Sequence, residues 1–130
     1  MNKEKKKRVW GIDEAVIDTI NEAARNSFPN EFVALLRAEK GIITEILLLP
    51  GTISGEQSGL LRLHMLPIDF SVVGTVHSHP SFSNLPSEAD IQMFSRFGYV
   101  HLITCAPFNM NSWKAYDRNG NVFDLEVIRE

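Results

Sequence analysis

Residues 74–90 read GTVHSHPSFSNLPSEAD, and they constrain the fold more than any other stretch. Val72, Val73, Thr75 and Val76 are β-branched, which suits a strand leading into His77. Alternate residues of a strand share a face, so His77 and His79 can reach one point in space. Pro80 ends the strand, because it has no N–H to donate to a ladder. A polar loop follows, and Ser87 then offers a helix N-cap with Asp90 in the first turn. The order strand, loop, helix start can fold Asp90 back toward both imidazoles. Two neutral imidazoles and one carboxylate suit zinc, with the fourth position left to water, as in catalytic rather than closed structural sites.

Taken singly, these residues say little. A lone strand histidine is most often solvated or hydrogen-bonded, and Ser87-x-x-Asp90 is also a plain capping pattern. The combined spacing is the informative feature, and a capped, rigid helix start is a sound mount for a ligand. Ser78, between the histidines, should face the other way. Cys105 is the only cysteine, so neither an internal disulfide nor a cysteine-based zinc site can form. Its setting, Ile103-Thr104-Cys105-Ala106, predicts a small buried thiol in a strand.

His77-Ser78-His79-Pro80, followed by Pro86-Ser87 and Asp90, resembles the signature of the JAMM (MPN+) zinc metalloproteases. The order of elements on both sides of the motif fits that family's domain. The resemblance implies a mixed α/β fold: a three-layer α-β-α JAMM/MPN domain with a curved mixed sheet, similar in architecture to cytidine deaminases. It implies Zn2+ as cofactor, held by His77, His79 and Asp90. It also implies a glutamate base near the start of the first strand after the first helix, the position of Glu31. By residues alone, Glu22, Glu31, Glu39, Glu45 and Glu56 all stay open for that role. Ser87 would stabilise the oxyanion of the tetrahedral intermediate, a contribution of ~3 kcal/mol in other enzymes.

Members of the family hydrolyse isopeptide or peptide bonds after the C-terminal Gly-Gly of ubiquitin or ubiquitin-like proteins. Short stand-alone members are similar to the archaeal and bacterial ones, which act on ubiquitin-like modifiers or small sulfur-carrier proteins. At 130 residues the chain has little room for the insertions that select ubiquitin linkages, so a generic desampylase-like activity is the expectation. A non-catalytic MPN-type interaction module is the alternative, and it predicts a broken motif where this one is intact. A nucleobase deaminase would need H-x-E and P-C-x-x-C, which are missing. A structural zinc would need a fourth protein ligand, and none is obvious.

Length predicts a single domain over residues 10–130, behind a basic tail at 1–9. The first eight residues carry +4, which leaves −7 for the remainder. An acidic body argues against a general nucleic-acid binder, and the basic run reads as a solvated terminus. No apolar run is long enough to span a bilayer and the start lacks a signal-peptide core, so a cytoplasmic protein is expected.

Helical spacing of Ile12, Val16, Ile20, Ala23 and Ala24 predicts a first helix from Ile12 to about Ser27. Glu31 to Ala38 and Ile42 to Leu49 read as a hairpin across Lys40-Gly41. The run Ile46-Leu47-Leu48-Leu49 suggests a strand covered on both faces. Leu60 to Leu66 reads as a further strand, with His64 on its polar side. After the metal motif, Ile91, Phe94 and Phe97 predict the second helix, ended by Gly98. Tyr99 to Cys105 is a strand, and its His101 reads as packing or surface. Ser112 to Asp117 and Asn121 to Ile128 should pair across Asn119-Gly120.

Overall fold

A computed structural model of the protein describes residues 8–48 and 71–129. The strand expected at 60–66, with His64, and the candidate Glu56 lie outside the described residues. Among those described, the order is β1 (Gly11–Asp13), α1 (Glu14–Ser27), β2 (Val33–Glu39), β3 (Ile42–Leu48) and β4 (Val72–His79). Then come α2 (Glu88–Phe94), β5 (Val100–Cys105), β6 (Trp113–Tyr116) and β7 (Glu126–Ile128). The strands form one mixed, curled sheet in the order β6-β5-β4-β2-β3-β1-β7. β4–β5, β1–β3 and β1–β7 are parallel, and the other neighbours are antiparallel. Irregularities on both sides of β2 near Arg37 bend the sheet there.

Alternation along the central strands sends the two helices to opposite faces. Val76 and Leu102, side by side on β4 and β5, join the main core with Val16, Ile17 and Ile20 of α1. Burying Ile17 and Ile20 stabilises the fold by ~1.5–3 kcal/mol each. The intervening residues face α2. Met93 and Phe94 pack with Ile103 and Tyr116, and the Thr75 hydroxyl donates to the Met93 sulfur at 3.7 Å. The layers are therefore helix, sheet, helix, as the mixed α/β expectation requires. Val9 is buried in the main core, so the described fold begins at that residue or before it.

Two backbone positions explain local chain direction. Lys40 (φ 55) and Gly41 (φ 84) are both left-handed, as the tight β2–β3 turn demands. At Gly74, a Cβ would lie 1.5 Å from the Val100 carbonyl oxygen, so β4 and β5 can approach only because no side chain is there.

The structure corrects four expectations. Ile12 is strand, not helix: it pairs with Ile43 on one side and Val127 on the other, and α1 starts after the Asp13 N-cap. α2 ends at the Ser95 cap rather than at Gly98, and a short irregular connection carries the chain into β5. Leu48 is 60% exposed, so the end of β3 is not covered on both faces. Lastly, the Asn119-Gly120 turn forms, with Asp117 N–H donating to the Asn121 carbonyl at 2.8 Å, but the hairpin does not continue. Only Tyr116 and Val122 bridge. β7 leaves to pair with β1 at the far edge, where Leu125 and Val127 pack on the main core. That burial outweighs further pairing beside β6.

Candidate metal centre

β4 delivers His77 and His79 to the α2 face, two residues apart on one side of the strand. The loop after Pro80 turns the chain back, and α2 begins at Ser87. The capping box is complete: Asp90 N–H donates to Ser87 Oγ at 3.0 Å, and Ser87 N–H donates to Asp90 Oδ2 at 2.9 Å. This reciprocal cap fixes the Asp90 rotamer with the carboxylate toward β4. His77 Nε2 lies 3.2 Å from Asp90 Oδ1, and His79 Nε2 lies 3.1 Å from Asp90 Oδ2. The two Nε2 atoms are 3.2 Å apart. Each of these atoms offers a lone pair in the form that binds a cation. A tetrahedral zinc with bonds of about 2.0–2.1 Å holds its ligand atoms about 3.3 Å apart, so the donor set fits.

The surroundings prepare these atoms. The His79 Nδ1–H donates to the Ser83 carbonyl at 3.0 Å. A carbonyl can only accept, so the bond keeps the proton on Nδ1 and leaves Nε2 for the metal. The hydrogen bond to Asp90 raises the His79 pKa against the opposing effect of burial. The Ser83 carbonyl and the charges of Asp90 and Glu31 raise it further. Burial alone would raise Asp90, but hydrogen bonds from His77 and His79 and from the Ser87 N–H hold it well below the usual carboxylate range. His77 is buried, whereas the side chains of His79 and Asp90 keep 14% and 18% exposure. Solvent can therefore reach the donor cluster from one side. Among the described residues, these three form the only such His/Cys/Asp/Glu group, with no fourth protein donor to close it.

Register places Glu31. Val33 is paired with His77, and the Ser78 N–H donates to the Phe32 carbonyl at 3.0 Å. Glu31 stands just ahead of this paired end of β2, near enough to His79 for its charge to raise the His79 pKa. It precedes β2 rather than opening it, and it is half-buried. The competing glutamates among the described residues lie elsewhere. Glu22 is on α1, across the sheet, and Glu39 is at the other end of β2. Glu45 pairs with Arg37 at 3.2 Å. Ser87 stands at the rim of the cluster, exposed, with its hydroxyl accepting the cap hydrogen bond.

Against this geometry the comparisons with known proteins are decisive. A family model described as prokaryotic homologues of the JAB domain matches residues 13–116. The chain belongs to the prokaryotic JAB-domain family. A relative from Haloferax volcanii, described as a probable metalloprotease, is 36% identical over 132 residues, covering 94% of this chain and 81% of that protein. The JAB domain also superimposes on a JAB1/MPN domain protein from Archaeoglobus fulgidus with a TM-score of 0.75 and 43% identity, covering 91% and 98% of the two chains. A structure described as JAMM, a metalloprotease-like zinc site in the proteasome and signalosome, gives a TM-score of 0.75 at 40% identity, covering 92% and 98%. The JAB domain is thus a JAMM-type metalloprotease homologue whose His77, His79 and Asp90 are positioned to bind zinc. No helix among its described residues is long and apolar enough to cross a membrane.

The remaining candidates resolve as packing. Ser78 Oγ accepts the Phe32 N–H at 2.8 Å and ties β4 to the segment bearing Glu31. Cys105 is buried and free. His101 is fully buried, stacked on Phe94 at 4.4 Å, with Nδ1 2.8 Å from the Thr75 hydroxyl. Burial pushes its pKa down from 6.5 to about 4. Below pH 6.5 the unfolded chain takes up a proton here that the folded protein refuses until pH reaches about 4. This residue therefore removes about 3 kcal/mol of stability as pH falls through that window. Urea unfolding of the metal-free protein across the range should show this slope, and His101→Phe should lack it. A ring that charges near pH 6.5 by NMR would exclude the effect.

What the sequence did not show is the Ser83 carbonyl behind His79. A main-chain acceptor has no residue signature, and only the fold of the loop reveals it.

Proposed function

We propose that the JAB domain is a zinc-dependent peptidase or isopeptidase that cuts after the C-terminal Gly-Gly of a ubiquitin-like modifier or small sulfur-carrier protein. The carrying observation is the convergence of His77 Nε2, His79 Nε2 and the Asp90 carboxylate at 3.1–3.2 Å on one solvent-accessible side. In this reading these three residues are the zinc ligands. Zinc held by them would lower the pKa of water toward neutrality and polarise the scissile carbonyl. Glu31, whose charge reaches His79, takes the proton of the attacking water and passes it to the departing amine. Water adds to the carbonyl carbon, the carbon–nitrogen bond breaks, and acid and amine leave. Ser87 can turn its O–H toward the developing oxyanion while its oxygen still accepts from Asp90 N–H, because a hydroxyl both donates and accepts. The helix cap and the oxyanion donor are then compatible roles for one side chain.

The Gly-Gly assignment rests on the family resemblance. Its test is a ubiquitin-fold protein joined through Gly-Gly to a reporter. Zinc-loaded protein is expected to release the reporter, a chelator to stop release, and added zinc to restore it. Release that persists in chelator would refute the metal mechanism. Failure on every Gly-Gly conjugate, with other peptides still cut, would refute the substrate class.

A further inference from the structure

We infer that Asn84 and Tyr116 are positioning residues of the metal centre, clamping the loop whose Ser83 carbonyl orients His79. The inference rests on the metal-ligand reading of His79 above. The loop between β4 and α2 has no regular structure, and Phe82 and Leu85 project from it at 83% and 65% exposure. Such a loop would ordinarily be loose, yet it carries the acceptor that sets the His79 ring. Its order comes from the β5–β6 side of the sheet. Ala106 N–H donates to the Ser81 carbonyl at 2.8 Å. Asn84 Nδ2 donates to the Ser112 carbonyl at 3.0 Å. Tyr116 Oη donates to the Asn84 carbonyl at 2.8 Å.

Asn84 is therefore held at both its side chain and its main chain, one residue from Ser83. The Ser112 carbonyl is itself anchored, because it also accepts the Cys105 N–H at 3.2 Å and the Cys105 thiol at 3.4 Å. Cys105 is the ladder partner of His79, which closes the circuit on the same pair of strands. Tyr116 is 2% exposed and stacks against Phe94, so its hydroxyl has little freedom. Burial pushes its pKa up and keeps it a donor. Asn84 and Tyr116 make their hydrogen bonds to Ser112 and to the Asn84 carbonyl rather than to His77, His79 or Asp90, so both act through Ser83. Loss of either clamp lets the carbonyl swing, and His79 then loses its tautomer preference and its ring angle.

The test compares wild type, Asn84→Ala, Tyr116→Phe and Ile43→Val for zinc affinity, by competition with a chromophoric chelator. The visible spectrum of the cobalt-substituted protein and the melting temperature of the metal-free protein are recorded beside it. Ile43 is fully buried on β3, remote from the loop, and controls for general destabilisation. Asn84→Ala and Tyr116→Phe are each expected to weaken zinc binding about tenfold and to shift the cobalt bands. Ile43→Val should lower the melting temperature and leave both metal readouts alone. Wild-type zinc affinity and cobalt spectra in both loop variants would overturn the inference, whatever their melting temperatures. A wild-type protein that binds no zinc would instead overturn the metal reading beneath it, and the inference with it. Since the readout is affinity, failure to cleave a Gly-Gly conjugate leaves the result intact.

Discussion

Glu31→Gln is expected to bind zinc as wild type does and to lose two to four orders of magnitude in kcat, about 10²–10⁴-fold. Glutamine preserves the shape and the hydrogen-bonding reach of the side chain but cannot accept and release a proton at neutral pH. The metal donors are untouched, because the cluster consists of His77, His79 and Asp90 without Glu31. The strand ladder is also untouched, since the link to β4 at this point runs through the Phe32 backbone and Ser78. The variant therefore separates base catalysis from metal binding. Metal content by elemental analysis should remain one zinc per chain, while single-turnover cleavage slows. Full activity would remove Glu31 from the mechanism. Loss of both metal and activity would show that Glu31 acts on the cluster itself, through the charge that already helps raise the His79 pKa.

How much of this was legible without coordinates depended on the range of the interactions. The His77–Asp90 stretch was readable because its parts are local: a strand alternation, a proline stop and a four-residue cap, each with its own residue signature. By residues alone Glu31 is one of five open candidates, and what favours it is long-range: its place ahead of the β2 end that pairs with His77, and its charge acting on His79. Asn119-Gly120 signals a turn and the turn forms, but the strand after it pairs with β1 rather than beside β6. Local sequence cannot show that β1, three residues long, needs β7 on one side and β3 on the other. The loop clamp was invisible for the same reason, since Asn84 meets Ser112 across 28 positions and Tyr116 meets Asn84 across 32. Ile12 is ambiguous in sequence because an apolar residue just ahead of a helix fits the helical spacing as well as it fits a short strand.

Asp90→Ala carries the second large effect, and it acts on metal and fold together. In four-ligand structural sites an apparent zinc affinity of about 10–16 kcal/mol assigns on the order of 3 kcal/mol to each ligand, so losing one of the three protein ligands here weakens zinc about a hundredfold or more. Catalysis at limiting zinc should vanish with it. Alanine also breaks the capping box, freeing the Ser87 N–H that Asp90 Oδ2 accepts at 2.9 Å. That costs α2 ~1 kcal/mol. In the metal-free protein the same substitution changes the response to pH. The Asp90 pKa is depressed in the fold, so its contribution is present above the unfolded value of 3.8 and is lost as acid protonates the carboxylate. The His79 pKa is raised, so its contribution is full below the unfolded value of 6.5 and is lost as pH rises through the folded value. The pair therefore stabilises the empty site most between those two values, and Asp90→Ala should flatten that maximum in chemical denaturation. Asp90→Asn distinguishes the two roles. It retains an oxygen for the Ser87 N–H and should recover much of the cap, but it lacks the negative charge that holds zinc. Recovery of stability without recovery of zinc is the expected result, whereas tight zinc binding by either variant would show that Asp90 is not a ligand.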